Sequence, residues 1–118
     1  MMPEKYNSLV ERIVKLHESQ ELNEMKSYLS KNAFETEGGW FTNNKFHEVC
    51  ALIDKKLGRV ESIEYVFDTK RKETIFTLWK AKYSNFKDVV LWQIIFDNDD
   101  NIFAMTVDWG EYNFNNEG

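Results

Sequence analysis

The sequence predicts an α+β fold in which N-terminal helices pack on an antiparallel sheet of four long strands. Apolar residues recur at helical spacing as far as Leu57, and the period changes to two from Val60 onward. Short polar turns separate the period-two runs, which makes successive strands neighbours in an up-and-down meander. Helices first and strands afterwards indicate that the helices gather on one face of the sheet.

From Pro3 to about Lys31 the apolar positions are Tyr6, Leu9, Val10, Ile13 and Leu16, then Leu22, Met25, Tyr28 and Leu29. The polar stretch 17-HESQE-21 interrupts this spacing, so the segment reads as two helices or one bent helix. Pro3 suits a first helical turn, where its missing N–H costs nothing, and Ser19 is the expected cap of the second segment. The segment 33-AFETEGGWF-41 has no helical period, and Gly38-Gly39 breaks regular structure, so a loop is expected there. A further helix starts at Asn43 or Asn44, carries Phe46, Val49, Cys50, Ile53 and Leu57 on one stripe, and stops at Gly58. The strands are 60-VESIEYVFD-68, 73-ETIFTLWKAKY-83, 88-DVVLWQIIFD-97 and 102-IFAMTVDW-109. The tail 110-GEYNFNNEG-118 is expected to fray.

A chain of 118 residues with 42% hydrophobic and 30% charged residues suits a single folded domain spanning 1–118. Its net charge of -5 comes from 20 acidic and 15 basic residues that are interspersed, as in 70-KRKE-73. Such a surface repels phosphate backbones, so nucleic acid is not an expected partner, whereas a basic protein would be steered toward it. No apolar run reaches membrane-spanning length, and the N-terminus lacks a basic region leading into an apolar run. The expected location is therefore cytoplasmic. The lone Cys50 cannot form an internal disulfide.

The stretch 96-FDNDDNIF-103 sets acids at alternating positions, as a calcium loop does. Counting from Asp97, however, the sixth position is Ile102 where glycine is needed, the twelfth is Asp108 where a bidentate Glu is needed, and the flanks have strand composition. A hairpin turn explains the composition, since Asn and Asp tolerate positive φ and bond to their own backbone. No Cys/His cluster has zinc spacing and no glycine-rich phosphate loop is present, so neither metal nor cofactor is expected.

Aromatic residues are abundant, with four Trp, nine Phe and five Tyr. Along 75–83 one face carries Ile75, Thr77, Trp79, Ala81 and Tyr83, and the other Phe76, Leu78, Lys80 and Lys82. In the next strand Val90, Trp92, Ile94 and Phe96 oppose Val89, Leu91, Gln93 and Ile95. Both faces are substantially apolar, so the face away from the helices needs cover: a second subunit, a curled part of the same sheet, or a protein partner. A homodimer through the sheet face is the first expectation.

The order of helical segments, glycine-containing loop, the stretch 52-LIDKKLGRVESIEYV-66 and the hairpin 96-FDNDDNIFAMTV-107 resembles the NTF2-like (cystatin-like, SnoaL-like) superfamily over about residues 3 to 110. The resemblance implies a strongly curved, cone-shaped sheet around an apolar pocket. It admits isomerases, dehydratases, polyketide cyclases, transport factors and immunity proteins, so function has to be argued from the site. In an enzyme of this kind a pocket Asp, Tyr or His transfers the proton. The titratable groups near core elements are Tyr6, His47, Tyr65, Asp68, Tyr83, Asp88 and Asp108, and none matches a catalytic motif. Cys50 lies on a buried stripe, where a thiol acts as a small hydrophobe.

The expected function is thus a non-catalytic binding module for an apolar small molecule or a protein partner, including an immunity-type role. An isomerase- or dehydratase-like enzyme is the alternative. The candidate ligand- or partner-binding residues are Trp40, Phe41, Tyr65, Trp79, Trp92 and Trp109.

Overall fold

The computed structural model describes residues 2–30 and 43–110. Helix α1 spans Met2–Glu18, a short α2 spans Leu22–Met25 and runs into a 3₁₀ turn at Lys26–Tyr28, and α3 spans Asn43–Leu57. Strands β1 (Val60–Lys70), β2 (Thr74–Tyr83), β3 (Phe86–Asp97) and β4 (Ile102–Asp108) form one antiparallel sheet in the order β1-β2-β3-β4. The α+β class and the meander are as expected from the change of period. The expected loop at 33–41 and the tail after Gly110 lie outside the described residues.

Helix α1 buries Tyr6, Val10, Ile13, Val14, Leu16 and His17. Its C-terminus corrects the expected role of Ser19. The Ser19 N–H donates to Lys15 O at 3.0 Å, Gln20 takes φ +58, and the Glu21 N–H reaches back to Leu16 O at 2.9 Å. Ser19 therefore closes α1, and the left-handed residue that follows satisfies carbonyls left open at the helix end. Glu21, with no side-chain bond, precedes α2.

Helix α3 buries Phe46, Cys50, Ile53 and Leu57 and stops at Gly58, whose φ is +86. The chain end of α3 is then clamped to the β2–β3 turn: the Asn85 N–H donates to Leu57 O, and the Ser84 N–H to Arg59 O, both at 2.8 Å. A Cβ on Gly58 would collide with the Ser84 and Asn85 side chains. Glycine is thus required there for its backbone and for space.

Register decides which face each aromatic occupies. Ile75, Trp79, Ala81 and Tyr83 of β2 and Val90, Trp92, Ile94 and Phe96 of β3 are buried under the helices with Ile102 and Met105 of β4. Bulges interrupt β1 between Tyr65 and Phe67 and disturb the β3–β4 pairing beside Phe96. Such bulges increase local twist and re-aim side chains. At the free side of β4, Leu29 forms a parallel bridge to Ile102, and the Ser30 N–H donates to Ile102 O at 2.8 Å.

Candidate functional site

Three residues expected to bind fall into one row across the inner face of the sheet. Tyr65 pairs with Trp79, Trp79 with Trp92, and Trp92 with Val107. Tyr65 meets Trp79 edge-on with ring centroids 5.7 Å apart. Trp79 and Trp92 are 0% and 1% exposed, however, and their polar edges are satisfied within the protein. The Trp79 indole N–H donates to Thr77 Oγ1 at 2.8 Å, and that hydroxyl donates to Ile94 O at 2.6 Å. The Trp92 N–H donates to the Tyr83 hydroxyl at 3.1 Å. These two indoles fill the space between helices and sheet. Burial also pushes the Tyr83 phenol up to about 12. Trp109 is half-buried at the end of β4, and its buried indole N–H meets no acceptor among the described residues. Trp40 and Phe41 lie outside the described residues.

Two tyrosine–aspartate pairs gather where β1 and β3 end. The Tyr6 hydroxyl donates to Asp100 Oδ1 at 2.7 Å, joining α1 to the β3–β4 hairpin, while its ring stacks on Phe96 at 4.4 Å. The Tyr65 hydroxyl donates to Asp68 Oδ2 at 2.8 Å. Burial, then the bond to Asp100, raises the Tyr6 pKa far above the ordinary phenol range, and the bond to Asp68 is the main cause that raises that of Tyr65. Both phenols are held in the protonated form. The hairpin itself is closed by Asp97: its N–H donates to Asn101 O at 2.8 Å, and its Oδ1 accepts the N–H groups of Asp99 and Asn101 at 2.9 and 3.0 Å. Asp100 takes φ +63, the positive backbone angle that Asn and Asp tolerate in turns. Among the described residues no group of three or more His, Cys, Asp or Glu is arranged to hold a metal ion.

A third cluster was not singled out from the sequence. His17 is 1% exposed and lies against Cys50, with Sγ 3.5 Å from Nδ1, while the thiol donates to the His17 carbonyl at 3.0 Å. Phe46 and Trp92 pack edge-on to the imidazole at 5.0 and 5.4 Å. A nucleophilic dyad needs thiolate beside imidazolium, and burial drives both groups the other way. It lowers His17 to about 4 and raises Cys50 to about 12. The pair is therefore neutral core. Of the other titratable candidates, His47 Nδ1 lies 2.8 Å from Gln20 Oε1, Asp88 is exposed, and Asp108 Oδ1 accepts the Gly110 N–H at 2.8 Å.

The outer face of the sheet has the opposite character. Phe76 and Leu78 of β2, Leu91 and Ile95 of β3 and Ala104 of β4 are half-exposed, and Phe67 of β1 is 49% exposed beside Phe76, with ring centroids 6.4 Å apart. Phe103, at the β4 bulge, is 44% exposed. Toward the β2–β3 turn this surface becomes charged, with Glu64 and Lys80 paired at 3.6 Å and Lys82 exposed. Among the described residues no helix is long and apolar enough to cross a membrane. The chain matches no protein-family model, no curated protein and no solved structure.

Proposed function

We propose that this chain is a non-catalytic binding module of the NTF2-like kind, with its sheet curved around the helices, and that it works through the outer face of that sheet. The observation that carries the reading is the apolar surface formed by Phe67, Phe76, Leu78, Leu91 and Ile95, of which Phe67 is 49% exposed and the other four are partly buried. An apolar patch with a charged border has the composition of an association surface. Its first occupant is a second copy of the chain, giving a homodimer. The net charge of -5 leaves the pair free to attract a basic protein, the setting of an immunity-type role. An apolar small molecule is the less favoured cargo, because Trp79 and Trp92 occupy the space beneath the helices.

Sedimentation equilibrium tests this. The wild type should dimerise in the micromolar range, and Leu78→Asp should remain monomeric while keeping its fold, because it places a charge at the centre of the patch. A monomeric wild type at all concentrations would refute the pairing.

A second reading rests on the Tyr6–Asp100 and Tyr65–Asp68 pairs, which set two protonated phenols beside carboxylates as a proton-transfer site would require. It predicts an isomerase- or dehydratase-like reaction on an apolar ligand, abolished in Tyr65→Phe and retained in Leu78→Asp.

A further inference from the structure

The two hairpins at one end of the sheet carry opposite charge. The β1–β2 hairpin carries Arg71, Lys72 and Glu73 at its tip, all exposed and together of net charge +1, while Lys70 pairs with buried Ile75 and so lies on the helix side; the turn is closed by the Arg71 N–H donating to Thr74 O at 2.8 Å. The β3–β4 hairpin contains Asp97, Asp99 and Asp100. Asp97 and Asp100 are committed internally, to the turn and to Tyr6, whereas the Asp99 carboxylate is exposed. Among the described residues none of Lys70, Arg71, Lys72 and Asp99 has an ion-pair partner. With strands about 4.8 Å apart, the two hairpin tips stand about 10 Å from each other across the sheet edge. The most apolar row of the outer face, Thr69–Phe76–Ile95–Ala104, runs directly beneath both tips.

We infer that the outer face pairs with a second copy about a two-fold axis parallel to the strands, so that the basic hairpin of each copy docks on the acidic hairpin of the other. This rests on the homodimer reading above and specifies its geometry. A closed pair made from one face of a sheet needs an axis lying between the two sheets, and aligned packing restricts it to run close to the strand direction or close to the perpendicular. An axis along the strands sets β1 over β4 and β2 over β3. The apolar row then falls on itself, and both hairpin contacts join Arg71 and Lys72 to the acids. An axis across the strands instead sets the basic hairpin over the opposite end of β1 and β2, where Glu64 is already paired with Lys80 and Lys82 is exposed, sets the acidic hairpin over the end of β4 that carries Asp108, and separates the two apolar rows. Charge and apolar surface select the same arrangement. Aligned sheet packing about 10 Å apart leaves long basic side chains room to reach across the tips.

Charge reversal tests the inference in the full chain. One variant combines Arg71→Glu and Lys72→Glu, and the other is Asp99→Lys. All three positions are exposed turn residues, and urea midpoints should confirm that both variants fold. Each alone sets like charges together at both hairpin contacts, so its dimer should weaken by about tenfold or more at low salt. Mixing the two variants should restore association, because their heterodimer has opposite charges at both contacts. Added salt should weaken the wild-type dimer and strengthen each reversed homodimer. A wild-type dimer whose affinity neither variant changes, or a mixture that shows no preference for the heterodimer, would overturn the axis and leave the homodimer standing. A wild type that stays monomeric would overturn the homodimer itself.

Discussion

The two faces of the sheet are built from similar residues and differ in exposure. On the inner face Ile75, Thr77, Trp79, Ala81 and Tyr83 alternate without a break, and every polar atom of the two indoles has a partner inside the protein. On the outer face Phe76, Leu78, Leu91 and Ile95 alternate just as regularly but remain half-exposed, and a charged end borders them. Hydrophobicity by itself does not separate the buried face from the exposed one. What separates them is whether the polar groups nearby are satisfied within the chain or left facing outward.

The largest effect that can break this comparison is at Trp79. Trp79→Ala should lower the unfolding free energy by about 3–5 kcal/mol, through lost burial and a cavity that the sheet cannot close. Phe67→Ser, on the outer face, should cost the monomer less than about 1 kcal/mol and act instead on association. Urea denaturation of both variants checks the pair. Equal losses would mean that the outer face is core.

The buried pair of His17 and Cys50 offers the next test, through pH. In the unfolded chain the imidazole titrates near its ordinary 6.5, whereas in the fold it stays neutral down to about 4. The unfolded state therefore binds more protons between these values, and stability is lost as pH falls through that window. The loss is about 3 kcal/mol, from roughly 1.4 kcal/mol per unit. His17→Leu should remove this slope between pH 6.5 and 4 while leaving other acid-sensitive contributions in place. Denaturation curves at several pH values check it, and an unchanged slope would rule out His17 as its source.

Gly58→Ala should cost about 1–3 kcal/mol, combining a left-handed backbone with the clash at the β2–β3 turn. The loss reports on the sequence reading as well. The glycine stop after the stripe ending at Leu57 was legible because helix termination is local chemistry, and the strands were legible because period two survives across each of them. The residues that form clusters were less so. His17 sits in the polar run 17-HESQE-21, which reads as a linker, yet its spacing from Val10, Ile13 and Val14 already continued the buried stripe of α1. The burial of Trp79 and Trp92 required knowing which of two apolar faces meets the helices. Alternation leaves that open when both faces are oily, and it is settled only by how the helices pack.

The smallest effect concerns a contact no local pattern could reveal, since Tyr6 and Asp100 are 94 residues apart. Tyr6→Phe keeps the ring stacked on Phe96 and removes only the hydroxyl, so it isolates the hydrogen bond between α1 and the acidic hairpin. Its loss should cost about 1 kcal/mol at neutral pH, less than for a fully buried bond because Asp100 keeps access to solvent. The difference should then narrow as pH rises. The folded phenol holds its proton above the ordinary range, so the unfolded wild type ionises first as pH rises past 10, and the wild type loses stability that the variant retains. A variant less stable at pH 7 and nearly equal to the wild type above pH 10 is the expected result. A constant difference across that range would mean that Tyr6 ionises as freely in the fold as outside it, and that the outward-facing hairpin is not tied to the core through this bond.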